Sequence, residues 1–97
     1  MRIDKYICSS NIEKSKEMDG YYCMNCGSFN NLETHHIISK GVVHNDSLWN
    51  LITLCHNCHD LIQHNLGYKG IVKVLEYWEN SEIFRWGTAL AYLNERI

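Results

Sequence analysis

The stretch Trp49-Asn-Leu-Ile-Thr-Leu-Cys-His-Asn-Cys-His-Asp-Leu-Ile-Gln-His64 changes character twice along its length. WNLITLC is β-prone, Cys55-His-Asn-Cys58 has the spacing of a metal knuckle, and HDLIQHNL is helix-compatible until Gly67. Strand, knuckle and helix therefore follow one another with no linker between them. Upstream, LETHHII is a second β-prone segment, joined to the first by the polar, glycine-containing SKGVVHNDS. The two segments predict an antiparallel pair with a long loop. Before them, YYCMNCGSFNN places Cys23 and Cys26 around two residues, and Gly27 admits the tight turn that a second knuckle needs.

The flanks read as helical. Ser10-Asn-Ile-Glu13 has the spacing of a capping box, and EKSKEMD is rich in helix formers up to Gly20. In the last third, Ile71, Val74, Leu75 and Trp78 recur at three and four, and after Asn80-Ser81 so do Ile83, Trp86, Leu90 and Leu93. These stripes predict two amphipathic helices whose apolar faces are core, with a partner-binding face as the alternative. No longer repeat or low-complexity tract accompanies the CxxC pair. The expected architecture is one small α+β domain over residues 1–97, with its core at about 20–66 and a helical extension at 68–97.

At 97 residues such a domain gains from a metal staple. The apolar runs are too short to span a bilayer and MRIDKYICSS has no signal-peptide core, so no membrane is expected and the location expected is the cytoplasm. Nine Lys plus Arg against eleven Asp plus Glu give a formal charge of -2, which excludes a protein that holds nucleic acid by net charge alone. A polyanionic partner stays open, because a bound divalent ion can be the largest local charge in a site.

Five cysteines, an odd number, with two CxxC pairs and no secretion signal favour thiolates on a metal over disulfides. Cys23, Cys26, Cys55 and Cys58 supply the soft ligand set that a structural zinc ion takes in tetrahedral sites, a redox pair being the alternative. Cys8 stands outside the pattern and reads as a small hydrophobe. Of six histidines, His35, His36, His56, His59 and His64 flank this scaffold and His44 sits in the loop.

The order CxxCG, LETHHII, a loop, then WNLITLCHNCHDLIQH resembles the HNH endonucleases of the zinc-supported ββα-metal (His-Me finger) type. The resemblance runs from about Gly20 to His64. It implies that His35 is the first ligand of a catalytic divalent cation, His36 the general base, Asn50 the middle Asn and His59 the helix-borne ligand. It also implies phosphodiester hydrolysis in nucleic acid, DNA rather than RNA, with one divalent cation, leaving 5′-phosphate and 3′-hydroxyl ends. Adjacent strand residues project to opposite faces, which lets His35 turn to the metal and His36 to the phosphate, given a twist or bulge at the strand end. Asn50 is then expected to brace the loop through backbone hydrogen bonds. Small HNH proteins similar to this one occur in phages, which points to host cytoplasm and to a larger DNA-processing partner reached through the C-terminal helices. The competing reading is a non-catalytic zinc-ribbon module that binds nucleic acid or protein.

Two departures from the family pattern matter. Many relatives carry Asp where this chain has His35, and two neutral imidazoles suit Mn²⁺, Ni²⁺, Co²⁺ or Zn²⁺ better than Mg²⁺. Some relatives also carry a third ligand one helical turn after the position of His59. Here that residue is Gln63, and His64, about 140° further round, is expected to pair with Asp60 rather than reach the ion. His44 and His56 are expected to face solvent or phosphate. Lys40 is a solvated lysine or a phosphate contact, and Arg2, Lys5, Lys14, Lys16 and Lys69 form at most a thin basic rim.

Overall fold

All five residues of the strand Leu51–Cys55 are buried, and the rest of the molecule is arranged to cover them. The computed structural model describes residues 11–39, 42 and 45–96. Arg2, Lys5, Cys8, Ser10 of the capping box, Lys40, Gly41 and His44 lie outside the described residues. In chain order the elements are a helix over 11–18 (α1), Leu32–His36 (β1), a 3-10 turn Leu48–Asn50, Leu51–Cys55 (β2), His56–Leu61 (α2), a π turn Ile62–Leu66, Gly67–Trp78 (α3) and Gly87–Asn94 (α4). Together they make a small α+β fold in which helices surround a two-stranded sheet.

The strands pair antiparallel in unbroken register, Leu32 opposite Cys55 through His36 opposite Leu51. No bulge interrupts the pairing, so of the twist or bulge expected at the His-His pair the bulge is absent. β1 is half-buried along its length, whereas β2 carries Leu51, Ile52 and Leu54 with no exposed surface. The knuckle is tied to this strand by Met24 N–H donating to Thr53 O at 2.9 Å, and α3 is tied to the knuckle by Trp78 Nε1 donating to Met24 O at 2.9 Å.

Both C-terminal stripes turn inward. Ile71, Val74, Leu75, Leu90 and Leu93 are buried in one core with Ile37, Ile52, Leu54 and Ile62, and Trp86 is fully enclosed with its Nε1 donating to Leu51 O. The partner-face alternative for these residues is thereby set aside. The second stripe begins before its helix: Ile83 and Trp86 precede α4, and Ile83 is exposed.

Gly67 does not end the helical run in a loop. It adopts φ +61° and ψ −148°, a conformation open mainly to glycine, and α3 starts at once, so the break is a kink between consecutive helices. The junction is tight. A Cβ on Gly70 would lie 2.5 Å from Leu66 Cβ, an atom fixed by its own backbone, so the π turn can pack on α3 only where a side chain is missing.

A buried ion pair joins the two ends of the described chain to the sheet. Arg85 donates to Asp19 Oδ1 and to Ser15 Oγ, both at 2.7 Å, to Leu51 O at 2.9 Å and to Leu48 O at 3.0 Å. Asp19, fully buried at its side chain, accepts in addition from Thr53 N–H at 2.9 Å. Arg85→Ala strands that carboxylate without its cation and is expected to lower the unfolding free energy by about 3–5 kcal/mol. Urea titration checks this, with Glu95→Ala as a near-neutral exposed control.

Candidate metal centres and histidine cleft

Cys55 has three jobs at one position. It ends β2, its sulfur accepts from Cys58 N–H as the N-cap of α2, and it joins the cysteine cluster. The sulfurs of Cys23, Cys26, Cys55 and Cys58 all lie within 4.8 Å of one another, and Cys26 Sγ is 3.7 Å from Cys55 Sγ. Tetrahedral zinc with bonds near 2.3 Å separates its sulfurs by about 3.8 Å, so the cluster fits such an ion. Backbone amides of Asn25 and Cys26 point at Cys23 Sγ, each at 3.4 Å, and Asn25 Nδ2 donates to Cys58 Sγ at 3.3 Å.

The thiols of Cys23 and Cys58 are shifted in opposite directions. Burial raises the Cys23 thiol, but hydrogen bonds from the backbone of Cys26, Cys55 and Asn25 outweigh it and bring the pKa down to about 7. Burial pushes Cys58 up to about 12, with the neighbouring thiols adding to it. Thiol ligands bind a cation as thiolates, so an ion at the cluster would favour the deprotonated form of both. The four cysteines can therefore hold a metal ion such as zinc.

On the other side of α2 the histidines converge. His35 and His59 stand edge to face with ring centroids 5.0 Å apart. A ligating nitrogen lies about 2.1 Å from its ion and the ring centroid roughly 1.1 Å beyond, which for two imidazoles in a tetrahedral site puts the centroids about 5 Å apart. Burial first, then the neighbouring His59 and His36, pull the His35 pKa down to about 4, so at neutral pH its ring is uncharged and able to ligate.

Glu33 holds this arrangement from behind. It lies two residues before His35, on the same strand face, and its Oε1 accepts from His59 Nδ1 at 2.7 Å. A carboxylate only accepts, so Nδ1 of His59 carries the proton and Nε2 is left with its lone pair. The other oxygen of Glu33 accepts from His56 Nδ1 at 2.8 Å. Those two histidine hydrogen bonds hold the Glu33 carboxyl below its usual range, and the same contact raises His56. His56 is solvent-exposed, as expected, but paired.

His36 projects to the other face of β1. Its Nε2 is 2.6 Å from Asp46 Oδ1. Both histidines of the pair still border one cleft of about 250 Å³, shared with Ser39, Gln63 and Tyr68. Asn50, fully buried, accepts from Ile38 N–H at 2.7 Å and donates to Ile38 O at 3.2 Å and Asn45 O at 2.8 Å. It clamps the two ends of the loop that follows the His-His pair. Gln63 rather than His64 reaches the cleft; His64 is exposed and 3.4 Å from Asp60. Glu33 and Asp46 are the two partners that sequence reasoning missed. The Glu33–His35 spacing on one strand face was an available signal, whereas Asp46 had none.

These features define a small cysteine-knuckle ββα unit in which His59 of α2 meets the histidine-bearing strand β1. Comparison with protein families makes the class specific: the model of the HNH endonuclease family matches residues 23–65, a stretch holding all four clustered cysteines, His35, His36, Asn50 and His59. Over that segment the chain is similar to the HNH endonuclease family. No curated protein and no solved structure matches the chain.

Purified protein is expected to carry one tightly held divalent ion on the cysteines. Elemental analysis should find it in the wild type and lose it in Cys58→Ser, and strong chelation should abolish the cooperative thermal transition seen by circular dichroism. A metal-free chain that melts as cooperatively as the wild type is the contrary outcome.

Proposed function

We propose that the protein is a metal-dependent endonuclease that hydrolyses phosphodiester bonds in DNA, with zinc on the four cysteines as a structural ion. The observation that carries this reading is the edge-to-face pair of His35 and His59 at 5.0 Å, with His35 and His36 both bordering one cleft. In it His35 and His59 would hold a divalent cation, which would supply charge stabilisation to the phosphate under attack. Glu33 fixes the His59 ring through Nδ1, which leaves Nε2 as the nitrogen that would ligate. His36 takes the proton of the attacking water on a ring nitrogen, the general-base step, and the products are 5′-phosphate and 3′-hydroxyl ends. Asn50 positions the loop behind His36 by spanning Ile38 and Asn45.

The ligand set bears on the choice of ion. Two imidazoles favour manganese or nickel over magnesium, which takes oxygen ligands. Gln63 and Ser39 offer neutral polar contacts on the cleft wall, compatible with a water or a phosphate oxygen beside the ion.

Incubating supercoiled plasmid with purified protein is expected to give nicked and linear DNA, faster with Mn²⁺ or Ni²⁺ than with Mg²⁺. His36→Ala should cut the rate by about 10²–10⁴-fold while the melting temperature and cysteine-bound metal stay as in the wild type. A magnesium optimum counts against the two-imidazole site. Binding of DNA with no cutting under any ion points to a zinc-ribbon binding module instead.

A further inference from the structure

We propose that Asp46 is a positioning residue for His36, fixing its tautomer so that Nδ1 is the nitrogen presented to the attacking water. The proposal rests on the nuclease reading of the cleft and adds to it a residue from the loop. The Nε2–Oδ1 separation of 2.6 Å is that of a strong, charge-assisted hydrogen bond. A carboxylate has no proton to give, so the proton in this contact is on Nε2, and a ring that carries a single proton keeps its lone pair on Nδ1. Left to solvent, imidazole interconverts between its two tautomers, and a base with the lone pair on the wrong nitrogen cannot take the proton from a water in the cleft.

The contact is built to persist. The two side chains are only 14% and 13% exposed, so water competes weakly for either partner. The backbone carrying the carboxylate is held on several sides: Asp46 O accepts from Asn11 Nδ2 at 2.8 Å, Asn45 O accepts from Asn50 Nδ2 at 2.8 Å, and Asn45 Oδ1 accepts from Ser47 N–H at 2.8 Å. The first of these comes from α1, outside the family-matched segment, and the second from the buried Asn50. Asn50 thus reaches His36 through Asn45 and Asp46, and α1 steadies the same loop from the far side. The step itself balances: the water oxygen bonds to phosphorus, its proton moves to His36 Nδ1, and the bond from phosphorus to the 3′ oxygen breaks, that oxygen leaving with a proton from solvent.

The isosteric Asp46→Asn is the test, because its amide keeps the volume yet can donate as well as accept and so no longer dictates the tautomer. Its kcat on a plasmid substrate with Mn²⁺ is expected to fall by about 10²–10⁴-fold with KM within a few fold, the scale of loss when a general base is disoriented. In a His36→Ala background the same substitution is expected to change the rate less than about twofold, since residues acting as one unit are not additive. An equal loss in both backgrounds, or an Asp46→Asn enzyme with wild-type kcat, overturns the proposal. Histidine ¹⁵N NMR supplies a readout independent of cutting: His36 should show the Nε2–H tautomer in the wild type and a mixture in Asp46→Asn, at unchanged melting temperature. Wild-type protein that cuts nothing sinks the nuclease reading, while the NMR result still decides whether Asp46 sets the tautomer. A wild-type His36 with its proton on Nδ1 refutes the inference by itself.

Discussion

The cysteine cluster is the constraint on which the rest of the structure depends. Four sulfurs gathered within 4.8 Å bring the Cys23–Cys26 turn against the point where β2 becomes α2. Cys55 does this most economically, since the residue that ends the strand also caps the helix and joins the cluster. With the start of α2 fixed there, His59 stands one residue past the last cysteine, on the turn that faces β1. The family-matched segment is too small to hold two strands and one short helix in register by apolar burial alone, and a metal-closed loop is the usual remedy.

The chain around that segment contributes burial and anchoring. α3 and α4 bury Ile71, Leu75, Leu90 and Leu93 in the core, Trp86 joins them from just before α4, and Arg85 reaches across to Asp19 and Ser15 of the N-terminal region. The two flanks thereby grip β2 from both ends of the chain. This has a consequence for the site, because α1, held by the Arg85 pair at its C-terminal end, presents Asn11 to the loop that carries Asp46. The histidine cleft is shaped by residues both inside and outside the family-matched stretch, Tyr68 of α3 among them.

Two carboxylates divide the work of orienting the imidazoles. Glu33 stands behind His59 and Asp46 beside His36, each accepting from one ring nitrogen and leaving the other its lone pair. The adjacent histidines of β1 need separate partners because they point to opposite faces, one toward α2 and one toward the loop. Regular strand geometry is enough for this, and the pairing shows no bulge.

Much was legible in the sequence because its cause is local. The CxxC spacing, the strand–knuckle–helix succession, the antiparallel pair and the apolar stripes all follow from residues a few positions apart, where backbone geometry alone relates side chains. Even the separation of His64 from His59 and its pairing with Asp60 are matters of helical angle. The tertiary structure decided what depends on contacts between residues distant in the chain: Glu33 with His59, Asp46 with His36, and Arg85 with Asp19. A lone acidic residue carries no pattern that names its partner, because an ion pair or hydrogen bond is specified by where the fold brings two groups and not by the spacing between them. The kink at Gly67 was hidden for a different reason: a glycine in the sequence reads alike as a helix stop and as a positive-φ joint between two consecutive helices.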